Sequence, residues 1–486
     1  MRAVNDARLL LSPKDIKIVK NASKSAADSF KKRIANHCWY CILPFCSAAS
    51  ILVLLFILNN EKFKLKKDIP LFYHLPSTKL LQCSTLFEST KISKNYAKHL
   101  IKYRITYQDD INLPTDCASI KRRGYFPEES LSKNEKEFPI AFARIIYKDY
   151  YFIESQFRIE YAPQNSFCYF LDSKADKLFK KRIRNFASCF NNVFVPDEEI
   201  NVQSEGHNMT MAHLICLKYL RKRNWKYVIL LQNHDVRLKT NAEIVKIFQA
   251  FGGANDISAS MPGSHTFNNS TNWTFAALNL FKHDAFNYLK DSSGQLFALN
   301  LTKSLVQVSI SREAVEFVLD ELNVIKFIEK MEEKKFGVDE LFWGTLNADD
   351  TIQLPGGFTR NCLVNDTKVF MATRFTVWVS EKYPIIPCST NYFRRWVCIF
   401  GIEDIKALNE MHHLYANKLM GEFDFAAIQC LLERVYNRTY HLQNNYSISN
   451  FDDSVYQNLP HVRYHFHKNT GLSLANFNCT RSSKFK

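Results

Sequence analysis

This 486-residue sequence contains no phosphate-cradling Walker loop, zinc-finger spacing, RNP-type aromatic motif, Gly-X-Ser-X-Gly elbow or His-Glu-X-X-His pair. Their absence sets aside P-loop chemistry, zinc-finger and RNP modes of nucleic-acid binding, serine-hydrolase catalysis and zinc proteolysis. Nothing repeats at any period, which excludes solenoids and propellers. An Asp-X-Asp pair, a common divalent-metal holder at the end of a strand, is also missing where it would be sought. There His234-Asp235-Val236-Arg237 offers one acid beside an arginine that repels a cation. Long apolar runs are limited to one.

That run, Tyr40 to Leu58, is uncharged and just long enough to cross a bilayer with little tilt. A polar segment of about forty residues precedes it, whereas a cleavable signal peptide starts near the first residue, so the run reads as a signal anchor. Lysines flank it on both sides, at Lys31 and Lys32 and at Lys62, Lys64, Lys66 and Lys67, and do not orient it. The chain beyond it does. Of 13 cysteines, all but Cys38, Cys41 and Cys46 follow the run, along with Asn-X-Ser/Thr triplets at Asn208, Asn268, Asn269, Asn272, Asn300, Asn365, Asn437, Asn445 and Asn478. Such a density suits an oxidising, glycosylating lumen. The expected layout is a type II membrane protein: 1–39 a cytosolic tail, 40–58 the anchor, 59–136 a stem and the start of the lumenal domain, 137–440 the main domain, and 441–486 a polar, weakly patterned tail.

A formal charge of +16 favours an anionic partner. The basic residues are scattered, without the stripe or motif that nucleic acid requires, so no nucleic-acid partner is expected. A few deep cations facing a diphosphate would use the same excess more economically.

Alternation of strand and helix begins at Phe138. Pro139–Tyr147 reads as a strand buried on both faces, Asn165–Asp172 as a second, Asn192–Val195 as a third, Trp225–Leu231 as a fourth and Ser304–Ile310 as a fifth. Helical periods run over Lys174–Cys189, Thr210–Arg223 and Glu313–Ile328. Phe251–Leu301, rich in Gly, Asn and Ser, reads as a surface excursion. The class is therefore α/β with a mostly parallel sheet flanked by helices, and ligands bind such sheets at the carboxyl ends of the strands. Asp172 and Asp235 stand at two such ends.

The stretch Phe336-Gly-Val-Asp-Glu-Leu-Phe-Trp-Gly-Thr345 is the centre of the reading. Two adjacent acids run straight into three large apolar residues, so one acid is fixed at the start of a helix anchored in the core. A carboxylate held at the mouth of an apolar pocket can act as a general base. Arg394, Arg395 and Lys418, the last in an expected helix, lie downstream near Cys388 and Cys398 and are candidate cations for a departing diphosphate.

Six stretches, in order, resemble the Core-2/I-branching β-1,6-N-acetylglucosaminyltransferases of glycosyltransferase family 14. They are Tyr161-Ala-Pro-Gln-Asn165 leading to Asp172, Cys189-Phe-Asn-Asn-Val-Phe194, Trp225-Lys-Tyr-Val-Ile229, Val338-Asp-Glu-Leu-Phe-Trp343, Arg395-Trp-Val-Cys-Ile-Phe-Gly401 and Ala416-Asn-Lys418. The resemblance covers about Cys83 to Cys430. It implies a GT-A-type domain, a single-pass type II enzyme of the Golgi membrane, UDP-N-acetylglucosamine as donor, no divalent metal or other cofactor, and inverting transfer to a C6 hydroxyl of a Gal or GalNAc residue on a glycan acceptor. Homodimerisation stays open.

By the same resemblance, Glu340 is the catalytic base, Arg395 and Lys418 hold the donor diphosphate, Asp172 contacts its uridine and Trp378 stacks on the acceptor. The implied bridges are Cys83–Cys430, Cys117–Cys189, Cys168–Cys216 and Cys388–Cys398, with Cys362 and Cys479 either paired with each other or free. Departures from the family's pattern concern the acceptor side. Val338 stands where a proline precedes the acid pair, Trp378-Val-Ser380 lacks the tyrosine of a Trp-X-Tyr element, the basic acceptor segment has no counterpart within Ser258–Phe275, and Gln232 replaces a cysteine. Two alternatives accompany the main reading: a xylosyltransferase of the same family and a catalytically silent glycan-binding relative.

Overall fold

The structure is a computed structural model that describes residues 69–264, 266–366, 369–382, 384–441, 451–475, 477–480 and 485. The expected cytosolic tail, the anchor and the first residues of the stem lie outside the described residues. Among the described residues no helix is long and apolar enough to cross a membrane. From Pro70 onward the chain forms one unit, so the expected stem from that point and the C-terminal tail belong to the same body as the main domain.

Five strands make the central sheet: β1 (Ile140–Ile146), β2 (Ser166–Leu171), β3 (Val193–Phe194), β4 (Tyr227–Gln232) and, after a short β5 (Val236–Arg237) that lies elsewhere, β6 (Ser309–Ser311). Their order is β3-β2-β1-β4-β6. The first four are parallel, with Ala141 opposite Ser166 and Ile140 opposite Tyr227, and β6 closes the edge antiparallel to β4. Every residue of β1 and β2 is buried, which is why both read as apolar runs without alternation. Helices cover the sheet, among them α1 (Tyr150–Glu160), α2 (Lys177–Ser188), α3 (Met209–Leu220) and α4 (Asn241–Phe251).

Around the sheet, three expectations need correction. The strand expected over Ser304–Ile310 enters the sheet only at Ser309, because Lys303 is drawn aside to pair with Ser260 and Ser304 to the carbonyl of Glu340. The single helix expected over Glu313–Ile328 is broken into α5 (Arg312–Asp320) and a separate short helix at Ile325–Met331, since Leu322 and Asn323 fold back onto Phe281 and Leu280. The excursion Phe251–Leu301 is not wholly superficial either. Phe275, Leu278, Leu280, Phe281, Leu299 and Leu301 join the main core, while Asn269, Asn272 and Asn300 point outward.

Away from the central sheet and α6 (Phe342–Ala348), a second sheet of three short strands brings distant segments together. β7 (Arg374–Phe375) runs parallel to β10 (Tyr415–Ala416), which runs antiparallel to β5, while β8 (Phe393–Arg394) and β9 (Val397–Cys398) form a separate hairpin. Lys418 therefore lies in the connection between β10 and α7 (Gly421–Tyr440), and not in a helix as expected. The four implied bridges are present and a fifth joins Cys362 to Cys479. This last bridge and α8 (Pro460–Thr470) give the C-terminal segment an order that its polar composition did not signal.

Candidate active site

The acids at Asp339 and Glu340 lie in a 3-10 turn, Val338–Leu341, that feeds directly into α6. Leu341, Phe342 and Trp343 are buried, and the Phe342 ring packs 5.7 Å from Phe327. The turn is thereby anchored from its apolar side, as the sequence implied. Its other side is held by a second turn, residues 203–207. Gly337, at φ 66°, donates its N–H to the Glu205 carbonyl at 2.8 Å, and Gly206, at φ 109°, lies against the Asp339 carboxylate. Burial and then the charge of Glu340 push the Asp339 carboxyl up to about 7. The Glu340 carboxylate takes an ion pair from Lys303, with Nζ 2.8 Å from Oε2.

Facing these acids is the floor that the β5-β10-β7 sheet assembles. Arg374, on β7, is buried; it donates to Gln307 Oε1 at 2.6 Å and to Asn417 Oδ1 at 2.8 Å. Asn417 in turn donates to Asp235 Oδ1 at 2.8 Å, while Asp235 Oδ2 accepts from the Gln232 N–H at 2.6 Å. Arg144, buried in the middle of β1, secures this corner from beneath by donating to the Gln232 and Asp235 carbonyls. Gln307 also donates from Nε2 to Gln232 Oε1 at 2.7 Å. Burial lowers the Arg374 pKa against the opposing charges of Asp235, Glu340 and Asp339, so the guanidinium lies within electrostatic reach of all three acids.

Lys418 follows Asn417 directly. Its ammonium is pushed down to about 8, first by burial and then by the guanidinium groups of Arg374, Arg394 and Arg395, against the pull of Asp235. Four cations thus crowd one corner. Arg395 occupies the two-residue tip of the β8–β9 hairpin together with Trp396, and both have left-handed backbones, at φ 53° and 66°. Hairpin tips of this kind favour Gly or Asn, and an Arg and a Trp there cost about 1–3 kcal/mol each. The Cys388–Cys398 bridge brackets the hairpin, and Trp396 stands exposed at its tip. The Arg395 guanidinium meets Glu205 at 3.4 Å, so the hairpin and the Glu340 turn share the 203–207 segment as a neighbour.

Glu340, Arg395 and Lys418 are therefore brought to one region, with Arg374 as the link. The other two predicted residues stand further off. Asp172 directly follows β2, and its carboxylate accepts from the Lys174 N–H at 2.9 Å and pairs with Lys174 Nζ at 3.3 Å. One strand separates it from β4, a step of about 10 Å along the strand ends. Trp378, half-buried, pairs with Val397 beside the hairpin and has no described contact with Glu340. A cavity of about 590 Å³ between Phe126, Tyr161, Phe190 and Asn192 opens at the amino ends of β2 and β3 and holds none of these groups. Sequence reasoning missed Arg374, Lys303 and the 203–207 turn. Only Arg374 had a signal, as the lone charge in the run Met371-Ala-Thr-Arg-Phe-Thr-Val377.

A carboxylate opposite gathered cations, at the carboxyl ends of a mostly parallel sheet, suits transfer from a phosphate-bearing donor, and comparison with known proteins agrees with a transferase of that class. Residues 140–409 match the family described as Core-2/I-Branching enzyme. The chain belongs to that family, and its enzyme class is that of a glycosyltransferase. It is 32% identical over 368 residues to the beta-1,3-galactosyl-O-glycosyl-glycoprotein beta-1,6-N-acetylglucosaminyltransferase of Bos taurus, covering 74% of this chain and 84% of that one. The Homo sapiens protein of the same name is 32% identical over 346 residues, 68% of this chain and 78% of its own. A third relative, the enzyme of that name numbered 3 from Homo sapiens, is 26% identical over 376 residues, 74% of this chain and 84% of its own.

Proposed function

We propose that this protein is an inverting, metal-independent transferase of GT-A type that moves N-acetylglucosamine from UDP-N-acetylglucosamine to the C6 hydroxyl of a Gal or GalNAc residue, forming a β-1,6 branch on a glycan. The names of the relatives support the sugar and the linkage. What carries the reading is the gathering of Lys418, Arg374, Arg394 and Arg395 at one corner, where burial first and the neighbouring guanidinium groups second depress the Lys418 ammonium to about 8. Like charges held this close are relieved by an anion, and a nucleoside diphosphate supplies at least two negative charges.

In the reaction, Glu340 removes the proton of the acceptor hydroxyl as that oxygen bonds to the anomeric carbon. The bond from that carbon to the diphosphate oxygen breaks, and UDP leaves with the electron pair, its charge held by Arg395 and Lys418. One carboxylate acting from the face opposite UDP gives inversion in a single step. Asp235 has both oxygens engaged by protein donors, which supports a cationic side-chain cradle in place of a metal. Asp172 contacts the uridine and Trp378 the acceptor sugar. The enzyme works in the Golgi lumen, anchored by residues 40–58.

Substitution Glu340→Gln tests the reading. It keeps the side chain's shape, so UDP affinity should stay near wild type while turnover falls about 10²- to 10⁴-fold; wild-type turnover would rule out the base. A chelator should leave activity unchanged. UDP binding without transfer to any branched-glycan acceptor would favour the silent glycan-binding relative, and a preference for UDP-xylose would favour the xylosyltransferase.

A further inference from the structure

Lys303 stands against the proposed base, and nothing in the strand pattern or the motifs foreshadowed it. Its ammonium is 2.8 Å from Glu340 Oε2, and the backbone around the pair is clamped. Lys303 exchanges two backbone hydrogen bonds with Ser260, each 2.9 Å, and the Ser304 N–H donates to the Glu340 carbonyl at 2.6 Å. Ser304 Oγ accepts from the Gly344 N–H at 3.0 Å, and Gly344 fits so closely that a Cβ there would come within 2.6 Å of the Thr302 carbonyl oxygen. Loop motion cannot part the lysine from the carboxylate without breaking this set. The Lys303 side chain nevertheless keeps 37% of its surface exposed, against 18% for Glu340, so the ammonium borders the solvent side of the carboxylate. Arg374, by contrast, faces Glu340 from the buried floor.

We infer that Lys303 is an acceptor-positioning residue. It fixes Oε2 of Glu340, leaving Oε1 to take the proton, and its remaining donors hold an oxygen of the acceptor next to the reacting hydroxyl. This rests on Glu340 being the base. An ammonium has three N–H donors and no lone pair, so once Glu340 takes one, two remain for a ligand rich in acceptor oxygens. The matching ligand is a hexose whose ring oxygen or second hydroxyl lies beside its primary alcohol. Tying base and acceptor to one cation fixes the approach of the nucleophile, and a displacement of about 1 Å at such a point costs up to about 10²-fold in rate.

The test compares wild type, Lys303→Met, Lys303→Arg and Glu340→Gln on the full chain in detergent. The probes are UDP-N-acetylglucosamine and the p-nitrophenyl glycoside of β-1,3-galactosyl-N-acetylgalactosamine. Lys303→Met should lose about 10- to 100-fold in kcat/KM for the acceptor while UDP affinity and the unfolding midpoint stay at wild type. Lys303→Arg, which keeps a cation, should recover part of the loss. Wild-type acceptor kinetics in Lys303→Met would overturn the inference, as would an equal loss of UDP affinity. An inactive Glu340→Gln beside a normal Lys303→Met would sink this inference alone, whereas an active Glu340→Gln would sink both readings.

Discussion

An ammonium buried among three guanidinium groups is disfavoured in the free protein and welcomed once a diphosphate arrives, which makes Lys418 sensitive to pH. Its folded value, about 8, is below the ordinary 10.5. Below pH 8 the side chain is charged in folded and unfolded chains alike, and the full penalty is present. Between about 8 and 10.5 the unfolded chain binds the extra proton, so this group makes the free protein more stable as pH rises. UDP binding runs the other way, because the ligand needs the charged form. UDP affinity should hold from pH 7 to about 8 and then fall by up to about tenfold per pH unit. Lys418→Arg, which stays charged, should flatten that decline. Calorimetric titrations across the range check it, and an equal decline in Lys418→Arg would assign the effect to another group. Glu340, Arg395 and Lys418 could be named from the sequence because each lies in a stretch with a family pattern. Lys303 could not, since its partner is 37 positions away in the chain and only the folded backbone brings the two together.

Two short turns hold the proposed base in place, and the tighter fit is at Gly206. With φ at 109°, a Cβ there would also sit 2.3 Å from Asp339 Oδ1. Gly206→Ala should therefore cost about 1–3 kcal/mol from the backbone alone and displace the Asp339–Glu340 turn, lowering turnover more than UDP affinity. Gly471→Ala is the control. Its φ is 69° but nothing lies within 4 Å of the added Cβ, so a loss of about 1 kcal/mol with normal turnover is expected. Thermal unfolding and steady-state kinetics on both variants separate strain from collision, and normal turnover in Gly206→Ala would show that the turn does not depend on that contact. Legibility at this scale followed burial. α2 shows one face to solvent and was read close to its observed ends. α1 left no helical period because all eleven of its residues are buried, its charges included. Its two acids are paired, Glu154 with Arg123 at 2.6 Å and Glu160 with Arg144 at 2.7 Å, and Arg158 donates to the Arg123 carbonyl, a pattern a sequence cannot distinguish from a solvated face.

Across the whole chain, the central sheet was legible because three of its strands, β1, β2 and β4, are apolar runs in βα alternation, and the floor of the site was not, because its strands of two residues have no periodicity to read. The C-terminal segment was hidden for a different reason. α8 is short and polar, and it is held by a few side chains and one covalent bond. His461 lies 3.1 Å from the buried carboxylate of Asp256, which also accepts from the Ala372 and Thr373 N–H groups just ahead of Arg374. Tyr464 packs between Phe358 and Phe477, and the Cys362–Cys479 bridge closes this small second core. The segment thus braces β7 from behind. The bridge spans a sequence separation of 117, for which the chain-entropy account gives at most about 5 kcal/mol. Replacing both cysteines by serine should lower the unfolding midpoint by several degrees while leaving UDP affinity at wild type, since His461 and the aromatic stack still seat α8. A parallel loss of UDP affinity would mean that the bridge, and not the packing, keeps Arg374 in register with Lys418, and an unchanged midpoint would mean that the packing alone holds the segment.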